Sequence, residues 1–154
     1  MGREFSELER LFLSENKDAR KLVFYAESGI FYRYYEDYIE EILKNSDLDI
    51  CYISSEPNDA IFTTNETRIK PFYIKNVLTA AFARLDSRAL VIATPDLGRG
   101  VIKRAPEPVH HVYAFRGVSS THLAYRLGAF DNYDSILCTG DYQIDEIRKT
   151  ERLY

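Results

Sequence analysis

Ser119, Ser120, Thr121 and His122 stand in a row just after an apolar run that ends at Phe115 and a turn formed by Arg116 and Gly117. A strand, a glycine and then hydroxyl residues opening a helix leave backbone N–H groups and side-chain donors at a positive helix end, which is an anion site. A phosphate or a carboxylate fits it. The same residues also read as an ordinary helix cap, for which one serine is enough. His122 adds a proton acceptor, because an imidazole in a first helical turn is kept neutral at pH 7 by the partial charge of that helix end. A lone histidine can equally be structural. Arg116 adds a guanidinium suited to phosphate.

A second stretch, PDLGRGVIKR from Pro95 to Arg104, has the same character. Asp96 falls just past an apolar run, Gly98 and Gly100 allow close backbone approach, and Arg99, Lys103 and Arg104 are phosphate partners. A solvated basic loop is the competing reading. Ser28 and Gly29 follow the first apolar run at an equivalent position. Five basic residues against two acidic ones make the segment from Asp96 to Arg126 +3, within a chain of net charge −4, so the remainder is −7. An anionic ligand is drawn to that segment. The overall acidity argues against nucleic acid as a partner. No GxGxxG follows the first strand and no Walker lysine loop occurs, which disfavours the common nucleotide motifs. His110 and His111 begin a strand at its amino end and read as structural or solvent-facing. No Cys–His spacing suggests zinc, and neither a metal nor a cofactor is called for.

These residues need a scaffold that gathers strand ends. Phe5, Leu8, Leu11 and Phe12 have the spacing of a one-faced helix that packs at the domain's edge. LVFYA at 22–26 and DICYISS at 49–55 read as strands, and Phe31 to Leu43 reads as the helix between them. IFTT at 61–64 fits a short strand. Pro71 fits a first helical position, and the apolar stripe from Ile74 to Leu85 predicts a helix. ALVIATP at 89–95, HHVYAF at 110–115 and SILCT at 135–139 complete the strands, and a last helix starts at Asp141. The tyrosines of FYRYYEDY read chiefly as core and boundary residues, with an aromatic contact face as the other possibility.

Such alternation predicts one Rossmann-like three-layer α/β domain over 1–154, with a mainly parallel sheet whose carboxyl edge holds the ligand. Cys51 and Cys138 lie in apolar runs and read as free thiols, consistent with a reduced cytoplasmic setting. No apolar stretch has the length of a membrane span, and the acidic start does not resemble a secretory signal.

ATPDLGRGVIKR and HHVYAFRGVSSTHLAYRLGAFDNYDSILCTGDYQIDEIRKTE, with FYAESG in a matching position, resemble the amino-terminal half of the CDP-glycerol glycerophosphotransferase family. Those enzymes polymerise teichoic-acid-type chains and are similar to GT-B transferases, with an acceptor domain facing a donor domain. The resemblance implies an acceptor-side half that turns over only with its donor-binding half. It implies a CDP-glycerol-type donor, an anionic polyol-phosphate or glycolipid acceptor, and His122 as the base. Arg116, Ser119, Ser120, Thr121, Asp96, Arg99, Ser28 and Gly29 become the phosphate and acceptor contacts. The family pattern has His in place of Arg116 and Ser in place of Gly117, so Arg116 here can serve only to bind phosphate. Lipid-linked acceptors further imply peripheral contact at the inner membrane face through Arg99, Lys103 and Arg104.

Overall fold

A computed structural model describes residues 2–118 and 120–153, and of His122 the backbone alone. Six strands, β1 (Leu22–Ala26), β2 (Ile50–Ser54), β3 (Ile69–Tyr73), β4 (Ala89–Ile92), β5 (His110–Ala114) and β6 (Ser135–Leu137), form one sheet in the order β3-β2-β1-β4-β5-β6. Every neighbouring pair is parallel. The helices are α1 (Gly2–Leu11), α2 (Tyr32–Asn45), α3 (Leu78–Ala83), the single turn α4 (Thr121–Ala124) and α5 (Asp141–Leu153). This is the Rossmann-like α/β fold expected from the alternation of elements.

The parallel strands are apolar on both faces because each face carries a helical layer. In β1, Val23 and Tyr25 enter a core with Leu8, Leu11, Phe72, Phe82 and Leu90. Phe24 and Ala26 face the other way, toward Tyr35 and Ile39 of α2 together with Tyr52 and Val91. The tyrosines thus divide as expected: Tyr35 is fully buried, while Tyr32, Tyr34 and Tyr38 are half-buried beside it.

Two expectations are corrected. Pro71 does not open a helix but lies within β3, and the predicted helix contracts to Leu78–Ala83. β3 is an edge strand, so the N–H that proline lacks costs no ladder bond there. Its outer side is sealed by α1: Arg10 Nη2 donates to the Pro71 carbonyl at 2.5 Å, and the Tyr73 N–H reaches Glu7 Oε2 at 3.4 Å. The predicted strand at 61–64 is instead a short 3-10 helix, Ala60–Thr63, started by Asp59, whose carboxylate accepts the Ile61 N–H at 3.0 Å. Cys51 is buried in β2, whereas Cys138 lies one residue past β6 and is only half-buried.

Candidate functional site

The order β3-β2-β1-β4-β5-β6 reverses direction between β1 and β4, and in open parallel sheets ligands bind where such neighbours part at their carboxyl ends. Pairing of β1 with β4 ends at Tyr25 and Ile92. Beyond that point the Tyr35 hydroxyl takes over the ladder, donating to the Tyr25 carbonyl at 2.6 Å and accepting the Ala93 N–H at 2.8 Å. The floor of the crevice is therefore a buried tyrosine whose pKa is pushed well above its ordinary value, chiefly by burial.

Above that floor stand the loops after β1, β4 and β5. Glu27 accepts the Thr94 hydroxyl at 2.8 Å, joining the first two. The hydroxyl of the half-buried Tyr133 donates to the Thr94 carbonyl at 2.5 Å. Its pKa is raised, first by burial and then by the charges of Glu27 and Asp96. Arg116 reaches back from the end of β5 to lie 5.9 Å over the Phe31 ring, which brings the β5 loop to the Ser28–Phe31 turn. Ser28 precedes that turn and is half-buried. At Gly29 an added Cβ would come to 3.3 Å from Asp59 Oδ1 and 3.4 Å from Glu56 Oε2, a tight fit against two side-chain ends.

Asp96 holds a left-handed backbone, φ 63°, a conformation that aspartate tolerates better than most residues. Its carboxylate accepts Arg126 Nε at 2.6 Å, and Arg99 pairs with Asp131 at 2.7 Å. Gly128 makes room for that second pair: its φ is +77°, and a Cβ would come within 2.8 Å of both Arg99 Nη1 and Asp131 Oδ2. Arg104 is held by Asp134 and Glu107, each at 3.0 Å. Of the basic residues in the +3 segment, Lys103 and Arg116 make no ion pair among the described residues.

At the start of α4 the groups expected to stand open to a ligand are engaged within the chain. Glu146 of α5 accepts the Ser120 hydroxyl at 2.9 Å and both the N–H and the hydroxyl of Thr121 at 2.7 Å. A carboxylate does there what a bound anion would do. Glu56 acts in the same way on the Gly29 N–H, at 2.6 Å. Ser119 and the His122 side chain lie outside the described residues; the His122 backbone lies in α4. The structure thus sets Arg116 over the ring of Phe31 in the turn that Ser28 precedes, turns Gly29 toward Glu56 and Asp59 of the loop after β2, ties Asp96 and Arg99 to the 126–131 segment, and ties Ser120 and Thr121 to α5.

Sequence reasoning did not find Thr94, Tyr35, Tyr133, Glu56 or Glu146 in these roles. Thr94 carried a usable signal, as the second residue past β4. Glu56 and Glu146 had none, because the amides they hold lie 27 and 25 residues away. A groove of about 1060 Å³ runs between α5 and residues 121–138, lined by Tyr125, Phe130, Ile136, Ile147 and Leu153. Among the described candidate residues only Thr121 borders it. A smaller pocket of about 430 Å³ opens at Gly29, between Tyr32 and Ile61. Among the described residues no cluster of three or more His, Cys, Asp or Glu side chains is arranged to hold a metal ion, and no helix is long and apolar enough to cross a membrane. Comparison of the chain with known protein families, with curated proteins and with solved structures gives no match.

Proposed function

We propose that this domain binds a phosphorylated polyol at the crevice between β1 and β4, as the acceptor side of a glycerophosphotransferase of the CDP-glycerol type. The observation that carries this reading is Arg116, which lies over Phe31 at the mouth of the crevice and makes no ion pair among the described residues. A guanidinium in that position favours a phosphate. The carboxylates of Glu27 and Asp96 nearby repel a bare anion but accept hydrogen bonds from hydroxyl groups. A ligand with a phosphate at one end and hydroxyls at the other satisfies both requirements. The backbone amides at Gly29 and Thr121 contribute little, being held by Glu56 and Glu146.

In this reading the acceptor hydroxyl oxygen attacks the β-phosphorus of CDP-glycerol, the bond from that phosphorus to the bridging oxygen breaks, and CMP leaves with the electron pair. His122 takes the hydroxyl proton, and Arg116 neutralises charge on the transferred phosphate. The exposed apolar residues Val101, Val118 and Leu127, each within two positions of a base, suit contact with an anionic membrane surface that carries the acceptor.

Calorimetric titration of the chain with glycerol 3-phosphate tests the reading. Wild type is expected to bind, Arg116→Ala to lose about tenfold or more of that affinity, and His122→Ala to bind as wild type does. Absence of binding by wild type overturns the proposal. The engagement of the Ser120 and Thr121 donors by Glu146 favours a second reading, a non-catalytic module of the same fold. It predicts binding that weakens equally in Arg116→Ala and His122→Ala.

A further inference from the structure

The segment from Leu97 to Val109 leaves the carboxyl end of β4, carries Arg99, and returns to the amino end of β5 without a helix or strand of its own. Its return is fastened by the buried Ile102, Ala105 and Val109, by the bonds of Arg104, and by His111, the second residue of β5, whose side chain is completely buried. His111 Nε2 accepts the Ala105 N–H at 3.0 Å. That bond fixes the neutral tautomer with its proton on Nδ1, since a protonated Nε2 cannot accept. Nδ1 makes no hydrogen bond within ordinary limits and lies 3.5 Å from Asp134 Oδ2.

The surrounding charges are few. Arg104, beside Ala105, faces the ring from the same segment and is clamped to both oxygens of Asp134 at 3.0 Å and to Glu107. From the turn before β6, Asp134 also takes the His111 N–H at 2.7 Å. On β5 itself, His110 is exposed and bonds Ser135 at 2.7 Å. Burial and the Arg104 charge oppose a second proton on His111, while Asp134 and the Val109 backbone favour one; burial and Arg104 prevail, holding its pKa below the ordinary histidine value.

We propose that His111 is a pH-operated latch on the 97–109 segment: protonation at Nε2 sets two N–H groups against each other, breaks the bond to Ala105 and loosens the segment. Arg99 and Asp96 then lose the support that holds them beside the crevice. The inference stands on the His111 geometry and is independent of what the crevice binds.

Amide hydrogen exchange of the full chain at pH 7.5 and at one pH unit below the midpoint of the His111 ring found by NMR titration, corrected for intrinsic rates, tests it. Protection at Ala105 and across 98–104 is expected to fall about tenfold or more at the lower pH, while that of β1 and β2 holds. His111→Gln, whose amide oxygen accepts the Ala105 N–H without titrating, is expected to abolish the difference. Unchanged protection in wild type overturns the latch, and so does an equal loss in His111→Gln. An NMR titration of wild type gives a test without substitution: the His111 ring and the Ala105 amide must share one midpoint below pH 6.5, and separate midpoints overturn the proposal.

Discussion

On one flank of the sheet β2 is buried at each of its five residues, with Leu8 and Leu11 of α1 in the core on one face and Tyr35 and Ile39 of α2 on the other. On the opposite flank β6 is half-buried at all three residues, and α5 buries only Gln143. The first flank is held by apolar packing and by carboxylates that seal exposed amides, Glu4 above all. The second relies on a ring cluster and on charge pairs in irregular loops. Tyr113 meets Phe115, Tyr125, Phe130 and Tyr133 at centroid distances from 4.8 to 6.1 Å. Three arginines, Arg99, Arg104 and Arg126, pair with Asp131, Asp134 and Asp96. Partly exposed ion pairs of this kind are worth about 0–1 kcal/mol each. The candidate crevice lies at the seam, where a rigid flank supplies the floor and a weakly fastened one supplies the cationic arm. Loops that must adapt to a ligand come from the less stable part of a fold.

The sharpest break in that comparison is a matched truncation. Ile53→Ala, in the fully buried β2, is expected to cost about 2–5 kcal/mol in urea unfolding, and Ile136→Ala, in β6, less than about 1.5 kcal/mol. Equal losses would mean that the flanks are equally packed.

Next in size is Glu4, which is buried on α1 and accepts the Lys75 N–H at 2.7 Å, the Asn76 N–H at 2.6 Å and the Asn76 side chain at 2.8 Å. Glu4→Ala leaves those donors unpaired and is expected to cost about 1–3 kcal/mol. Burial acts to raise the pKa of this carboxyl, but the Asn76 and Lys75 bonds outweigh it and the net shift is downward. A folded pKa below the unfolded one means that the stabilisation is complete above the ordinary glutamate value and is lost as pH falls toward the folded pKa. Unfolding of wild type and Glu4→Gln between pH 6 and pH 3 should therefore converge at the acid end.

Tyr35→Phe strands the Ala93 N–H and is expected to cost about 1–2 kcal/mol, with exchange quickened at Ala93. The smallest effect belongs to Arg99→Ala, which should change stability by about 0–1 kcal/mol because its pair with Asp131 is exposed. A larger loss there would show that the loop pairs act as a network.

The strands β1, β2, β4 and β5 and the helices α2 and α5 were legible because their apolar spacing answers directly to a sheet covered on both faces. Pro71 misled for a physical reason. Its fixed φ suits both a first helical turn and an outward position on an edge strand, and only the neighbouring strand decides between them. At 61–64 four β-formers follow Pro57-Asn58-Asp59, and the Asp59 cap turns them into a helical turn instead. Ser28, Gly29 and Arg116 were singled out by position alone, since each follows a strand. The engagement of Ser120 and Thr121 was not legible, because Glu146 comes from an element 25 residues away. Likewise, the +3 charge of the basic segment was visible in the sequence. Its neutralisation by Asp131 and Asp134, acids that lie beyond the segment, was not.

The central claim is that Arg116 and the β1–β4 crevice form one phosphate-binding site. An amide NMR titration of the chain with glycerol 3-phosphate tests it most directly. Shifts are expected to concentrate at Glu27, Ser28, Gly29, Thr94, Asp96, Arg116 and Gly117, and to vanish in Arg116→Ala. No shift at saturating ligand, or shifts confined to α5 and the groove beside it, would contradict the claim.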